Sequence, residues 1–314
     1  MDEGCFPATK AVIESFHDSR IRHVVNINQQ GLAKKITKGT NLFPDDVNWC
    51  TIVCDDDYIA PDFIEIMLTS VIKRGITNIL HSRITFVDKC YQVIRVGQNA
   101  PAEESALDFV SARADFKRDR YLTGILFSRE QFNKIGGYPQ FTTGMAADDA
   151  LIFALAIQDK LYFESNAMAF ICIHDEAESN QVIGIDKHFD AIVEYGLYCK
   201  NILDTYAGSN LAADQIDRHV VALNQHFWIN AYNSVRKNPE LHYYEAALFK
   251  VGIKPNIEFP IRIRLSSLLG LYLFCPEKIG VYRSVWKRIE KSRHLQRYSN
   301  LLNIFYKTWR LGAK

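Results

Sequence analysis

The chain has 314 residues, of which 48% are hydrophobic and 23% are charged. These values exclude an intrinsically disordered or fibrous protein, and the length suffices for one large domain or two smaller ones. The net charge of only +1 gives no reason to expect a nucleic-acid partner.

Short apolar runs alternate with helical patterns over the first 180 residues, which predicts an α/β domain. Most runs can be assigned from their period and from flanking Pro and Gly residues. In chain order, the pattern predicts a helix over 7–16, a strand over 21–27, a helix over 32–40, a buried parallel strand over 49–54, a helix over 61–72 that Gly75 ends, two β-rich pieces over 79–96, a helix over 146–157, and strands over 161–163 and 167–173.

Residues 181–314 show Leu, Tyr, Lys and His at helical spacing and are predicted to form a helical C-terminal region. Its last part, 277–314, has ten Lys or Arg against two Glu, with aromatic residues interleaved. A basic side chain near an anionic lipid surface contributes about 1 kcal/mol. The tail is therefore a candidate for peripheral membrane contact. The alternative is a helical subdomain whose basic face is solvated.

The seven cysteines are scattered and form no C-x-x-C pair. This pattern is typical of small buried side chains in a reducing compartment, not of a disulfide framework or a zinc site. The N-terminus is polar and acidic, unlike a signal peptide, and the longest apolar runs, such as 265–274, are about half of a membrane span. The sequence therefore predicts a cytoplasmic protein that at most attaches to a membrane surface.

Three consecutive carboxylates, Asp55, Asp56 and Asp57, directly follow the predicted strand over 49–54. Ligands of open α/β sheets bind at the carboxyl ends of the strands. Adjacent like charges raise one another's pKa unless a cation binds them, and Mn²⁺ or Mg²⁺ with diphosphate oxygens is the natural partner. A solvated acidic turn that caps the next helix is the alternative.

A second acidic pair, Asp148 and Asp149, opens the predicted helix over 146–157. Carboxylates are favourable in the first turn of any helix, which is the simpler interpretation. The functional interpretation is a general base that takes a proton from an acceptor hydroxyl. His174 also stands at the end of a predicted strand, the last one, and follows both acidic sites in the sequence. This position makes it a candidate site residue, although a lone histidine is more often structural.

In this order, the motifs resemble those of glycosyltransferase family 2, whose members have the GT-A fold. The resemblance covers roughly residues 2–180. It rests on Asp2-Glu3-Gly4-Cys5 (the family's Asp-Asp-Gly-Ser turn), Asn28-Gln29-Gln30-Gly31-Leu32-Ala33, Asp55-Asp56-Asp57 with Pro61 (the DxD motif), Thr123-Gly124, Ile135-Gly136-Gly137-Tyr138, Asp148-Asp149 (the Glu-Asp pair), and His174 with Ser179.

The resemblance implies a Rossmann-like mixed sheet flanked by helices. It also implies metal-dependent, inverting transfer of a sugar from a UDP- or dTDP-linked donor to a glycan or lipid-linked acceptor, as in bacterial O-antigen or capsule synthesis. Such an enzyme would work in the cytoplasm, or on the cytoplasmic face of the inner membrane if the basic tail binds lipid.

The resemblance also implies a role for individual residues. The base is either carboxylate of the second pair, and Asp149 is preferred. The other implied roles are donor binding by Asp2, Gly31, Asp55 and Asp56, metal ligation by Asp57, Asp55 and His174, and acceptor contacts by Thr123, Gly124 and Gly137.

The family has a strand–helix–strand unit before its Asp-Asp-Gly-Ser turn, whereas this chain starts at that turn. We therefore expect a GT-A domain without its first two strands, and an inactive remnant or binding module is the alternative function. A nucleotidyltransferase is a third interpretation, but the sequence lacks the Gly-rich basic phosphate loop usual in such enzymes. Glu3, Cys5 and Ile36-Thr37 are smaller departures from the family pattern.

Overall fold

The computed structural model describes residues 7–25, 31–119, 121–174, 185–207 and 213–237. The chain divides into two compact units, Met1–Ile257 and Glu258–Lys314, and every described residue belongs to the first. The helices are α1 (Pro7–Ser15), α2 (Gly31–Asn41), α3 (Phe63–Arg74), α4 (Ala106–Ala114), α5 (Arg129–Lys134), α6 (Ala147–Ala156), α7 (Ile185–Ala207) and α8 (Ala213–Lys237).

In the described part of the chain, seven strands form one mixed sheet. They are β1 (Trp49–Thr51), β2 (Tyr58–Ile59), β3 (Ile79–Val87), β4 (Val93–Val96), β5 (Glu103–Glu104), β6 (Ile125–Ser128) and β7 (Leu161–Cys172). Their order is β1-β6-β3-β7-β2, with β4 added to β3 and β5 added to β7. Among the described strands, β3 and β7 pair in parallel and the other pairs are antiparallel.

Helices cover both faces of this sheet. On β3, Ile79 belongs to the core around α6, and its neighbour Leu80 belongs to the core around α3. This is the alternation expected of a strand with two covered faces. The predicted α/β fold, a mixed sheet flanked by helices, is confirmed at this level.

The strand predicted over 49–54 is shorter than expected, and its predicted parallel pairing is wrong. β1 pairs antiparallel with β6, and within β1 only Cys50 is buried. An apolar run reveals burial but does not encode the partner strand. The chain leaves the ladder before Cys54, whose N–H donates to the Thr123 side chain at 3.0 Å instead of to a strand carbonyl.

Two other strand predictions differ from the structure. The runs over 161–163 and 167–173 are one strand, β7, whose pairing shifts register opposite Ser82 and Arg83. Of the strand predicted over 21–27, the structure gives a single bridge at Val25, and residues 26–27 lie outside the described range. The helix predicted to end at Gly75 does so, in the left-handed conformation.

Helix α6 lies at the centre of the core. Every residue of α6 except Asp148 is buried. Helix α7 contributes Tyr195 and Leu203, and α8 contributes Ile216, to the same apolar cluster. The first part of the predicted C-terminal helical region thus packs directly against the sheet domain.

No described helix is both long and apolar enough to cross a membrane. The basic tail over 277–314, on which the expected lipid contact depends, lies outside the described residues.

Candidate functional site

The site is built around the connection between β1 and β2, residues 52–57, called here the acidic loop. Hydrogen bonds fasten this loop to two other parts of the sheet. The Cys54 N–H donates to Thr123 Oγ1, just ahead of β6, at 3.0 Å. At the other side, the Cys172 N–H at the end of β7 donates to Asp57 Oδ1 at 3.0 Å. Thr123 is fully buried, and its hydroxyl acts to lower the pKa of the Asp57 carboxyl.

Three side chains of the acidic loop converge with metal-ligand spacing. One ligand atom each from Cys54, Asp56 and Asp57 lies within 4.8 Å of the other two. The His174 Nε2 lies 2.9 Å from Asp56 Oδ2, at the rim of this group. Two carboxylates and a thiol suit a divalent cation, and the thiol favours zinc-like ions over magnesium.

The cluster differs from the expected ligand set. Among the described residues, the predicted ligands Asp55 and His174 do not belong to the converging group, and Asp55 is exposed. Asp56, which was expected at the donor nucleotide, does belong to it. Cys54, which the sequence analysis grouped with small buried hydrophobic side chains, does belong to it. Its position immediately before the three aspartates was the available signal.

Without a bound cation, the surroundings of Asp57 and Cys54 favour the neutral forms of these two side chains. Burial, assisted by the charges of Asp56 and Asp55, raises the pKa of Asp57 despite its hydrogen bonds. Burial also raises the pKa of the Cys54 thiol to about 12, and the carboxylates of Asp57, Asp148 and Asp56 add to that shift. A bound divalent cation would reverse both effects because it stabilises the deprotonated ligands.

The second acidic pair divides into two different environments at the start of α6. Asp149 is buried and accepts two hydrogen bonds from Arg113, Nε to Oδ1 at 2.9 Å and Nη2 to Oδ2 at 3.2 Å. Asp148 is half-buried and accepts a hydrogen bond from the Tyr138 hydroxyl. The charge of Asp148 contributes to the raised pKa of the Cys54 thiol, so this carboxylate acts electrostatically on the acidic loop.

The backbone just before α6 is held in an uncommon conformation. Ala146 has φ 61° and ψ 5°, in the left-handed region that non-glycine residues seldom adopt. Such residues persist only where the surrounding contacts fix them, and they concentrate at functional sites. Two residues later the chain reaches Asp148.

Two of the predicted acceptor-side residues, Thr123 and Gly124, support the backbone of the site. Thr123 is fully buried and holds the Cys54 N–H of the acidic loop. Gly124 has φ +103°, and a Cβ there would lie 2.9 Å from Ser82 Oγ and 3.0 Å from Ala169 Cβ. Only glycine therefore lets this backbone lie so close to its neighbours.

Gly137, the third predicted acceptor residue, brings the Tyr138 segment against α2. It has φ +91°, and a Cβ there would lie 2.7 Å from Thr37 Cγ2. The next residue, Tyr138, donates its N–H to Thr37 Oγ1 at 3.1 Å. Gly137 thus places the tyrosine that contacts Asp148.

The predicted donor-side residues are only partly described. Gly31 is exposed at the first position of α2, with φ +74°. Asp2 and Ser179, which the family resemblance placed at the donor site, lie outside the described residues. Against known proteins, the chain matches no protein-family model and no curated protein.

Proposed function

We propose that the protein is a metal-dependent glycosyltransferase of the GT-A type. It would transfer a sugar, with inversion, from a UDP- or dTDP-linked donor to a hydroxyl of a glycan or lipid-linked acceptor. The observation that carries this proposal is the proximity of two distinct acidic sites. One is the ligand cluster of Cys54, Asp56 and Asp57. The other is the single carboxylate of Asp148, whose charge acts on the Cys54 thiol of that cluster.

The acidic loop would form the donor half of the site. Cys54, Asp56 and Asp57 would hold a divalent cation, which when bound neutralises negative charge on the departing diphosphate. His174 contacts Asp56 and would fix the orientation of that carboxylate, as partners of ligating groups commonly do. The exposed Asp55 would remain available to the ribose of the nucleotide.

Asp148 would be the general base of the acceptor half. The hydroxyl of Tyr138 donates to its carboxylate and orients it. In that position Asp148 would take the proton from the acceptor hydroxyl as it attacks the anomeric carbon, which is typically worth about 10²–10⁴-fold in rate. Asp149, which the sequence analysis preferred, has both carboxylate oxygens bonded to Arg113 and would instead hold the start of α6 in place.

Thermal unfolding with Mn²⁺ and nucleoside diphosphates tests the donor half. A ligand at about 100 times its Kd stabilises a protein by about 2.7 kcal/mol. We expect Mn²⁺ with UDP or dTDP to raise the melting temperature of the wild type. We expect no such rise for Asp57→Asn, whereas Asp45→Asn, a charge removal at an exposed position, should behave as wild type.

Turnover is then measured with UDP- and dTDP-sugars and alkyl glycoside acceptors. Metal-dependent product formation that Asp148→Asn abolishes supports a transferase. Nucleotide binding without turnover of any donor would instead indicate a binding module. If neither UDP nor dTDP stabilises the wild type with Mn²⁺, the proposal is wrong.

A further inference from the structure

The segment that leads into α6, residues 140–146, is held in place by α7. We call it the approach segment. The Glu194 carboxylate accepts a hydrogen bond from the Thr142 N–H at 2.6 Å and another from the Thr142 hydroxyl at 2.6 Å. The side chain of His188, six residues earlier on α7, lies with Nδ1 3.0 Å from Thr143 Oγ1.

These contacts continue along the backbone to the second acidic pair. Thr143 Oγ1 accepts the Met145 N–H at 3.3 Å. The next residue is the left-handed Ala146, and its carbonyl accepts the Ala150 N–H at 3.0 Å in the first turn of α6. The position of Asp148 therefore depends on a short path that α7 fixes at two points.

Helix α7 does not need these contacts in order to pack. Phe189, Ile192 and Tyr195 are essentially fully buried on its inner side. Glu194 is only half-buried, and Thr142 is exposed. Loss of the Glu194 carboxylate should accordingly loosen the approach segment and leave the helix in place.

We propose that Glu194 and His188 are positioning residues for the acceptor half of the site. They fix the approach segment, which borders Asp148, and so determine where an acceptor hydroxyl meets the base. This inference rests on the proposed transferase function. By this inference, α7 supports the acceptor half of the site directly. This role is independent of any contact between the C-terminal region and a membrane.

The test compares full-length Glu194→Ala with Asp204→Ala, the same truncation at an exposed position of the same helix. Alanine is used because a glutamine at 194 could still accept from the Thr142 N–H and donate to its hydroxyl. Three quantities are measured: hydrogen exchange of the Thr142 amide, the Kd for UDP or dTDP with Mn²⁺, and the kinetics of transfer to alkyl glycosides. For Glu194→Ala we expect exchange at least tenfold faster, kcat/KM for the acceptor at least tenfold lower, and a nucleotide Kd within twofold of wild type. Asp204→Ala should change none of the three.

A second variant, Thr142→Val, keeps Glu194 and the bond from the Thr142 N–H but removes the hydrogen bond from the Thr142 hydroxyl. It should lower kcat/KM for the acceptor in the same direction, with unchanged nucleotide affinity. Faster exchange with unaltered transfer, unaltered exchange, or an equal loss of nucleotide affinity would each overturn the positioning role. A wild type without nucleotide binding or turnover would overturn the proposed function itself, and the inference with it.

Discussion

Arg113 and Asp149 form a buried, two-point ion pair between α4 and α6. The Asp149 side chain is 4% exposed and that of Arg113 is 20% exposed. Arg113 also donates to the carbonyl of Arg118, so its guanidinium joins two segments of the chain. The adjacent carboxylate, Asp148, accepts a hydrogen bond from Tyr138, and the two aspartates should respond differently to substitution.

Replacement of Asp149 should mainly destabilise the protein. Asp149→Ala leaves the Arg113 charge buried without its partner, which typically costs about 3–5 kcal/mol. Urea denaturation should show this loss, and Asp148→Asn should change the free energy of unfolding by less than about 1 kcal/mol. Equal losses for the two variants would contradict the division of roles.

Replacement of Asp148 should mainly remove activity. Asp148→Asn keeps the size of the side chain and an acceptor for Tyr138 but cannot take a proton. We expect transfer to fall by about 10²–10⁴-fold, with the Kd for the Mn²⁺–nucleotide complex unchanged. Steady-state kinetics and isothermal titration measure the two quantities. Retention of wild-type turnover would exclude Asp148 as the base.

The thiol of Cys54 should set the preference of the site among metals. Cys54→Ser replaces a soft ligand by a hard one, so the affinity for Zn²⁺ and Co²⁺ should fall more than that for Mn²⁺. A thiolate-to-cobalt charge-transfer band should be present in wild type and lost in this variant. Cys172→Ser is the matched control, since this nearby thiol lies outside the ligand group among the described residues. A cobalt complex whose spectrum is the same in all three proteins would rule out Cys54 as a ligand.

Asp57 should lower the stability of the metal-free protein at neutral pH. Its folded-state pKa is raised above 3.8, chiefly by burial, so the folded state binds more protons than the unfolded state at intermediate pH. The free energy of unfolding therefore falls as the pH rises from below 3.8 through the folded-state pKa.

Asp57→Asn removes this penalty and keeps an oxygen for the Cys172 N–H. Without metal at pH 7, the variant should melt at a higher temperature than wild type. The difference should shrink below pH 3.8, where the wild-type carboxyl is protonated in both states. Calorimetry in a chelating buffer across this pH range provides the measurement, and a variant less stable than wild type at pH 7 would contradict it.

Local signals predicted some elements well. Helix α6 is a long apolar run that can only be buried, and Gly75 marks the end of α3 because it adopts the left-handed conformation there. The partner of β1 was not predictable in this way, since pairing depends on residues far along the chain. Trp49, for example, pairs with Ser128.

Local sequence also could not decide between Asp148 and Asp149 as the base. Successive residues of a helix point about 100° apart, so only one of two neighbours can face a given side. Which one faces the acidic loop is decided by Arg113, 36 residues away in the sequence, and by the packing of α4. The sequence motif located the two aspartates, but only their tertiary contacts distinguish the structural role of Asp149 from the proposed catalytic role of Asp148.

Hydrogen bonds hold the acidic loop at two positions, and this should affect the rate of metal binding. Cys54 is tied to the residue ahead of β6, and Asp57 to the end of β7, before any cation arrives. We therefore expect no slow opening or closing of this loop to limit the entry of a cation. Rapid-mixing experiments should therefore show metal association as a single phase whose observed rate increases linearly with metal concentration, without a plateau.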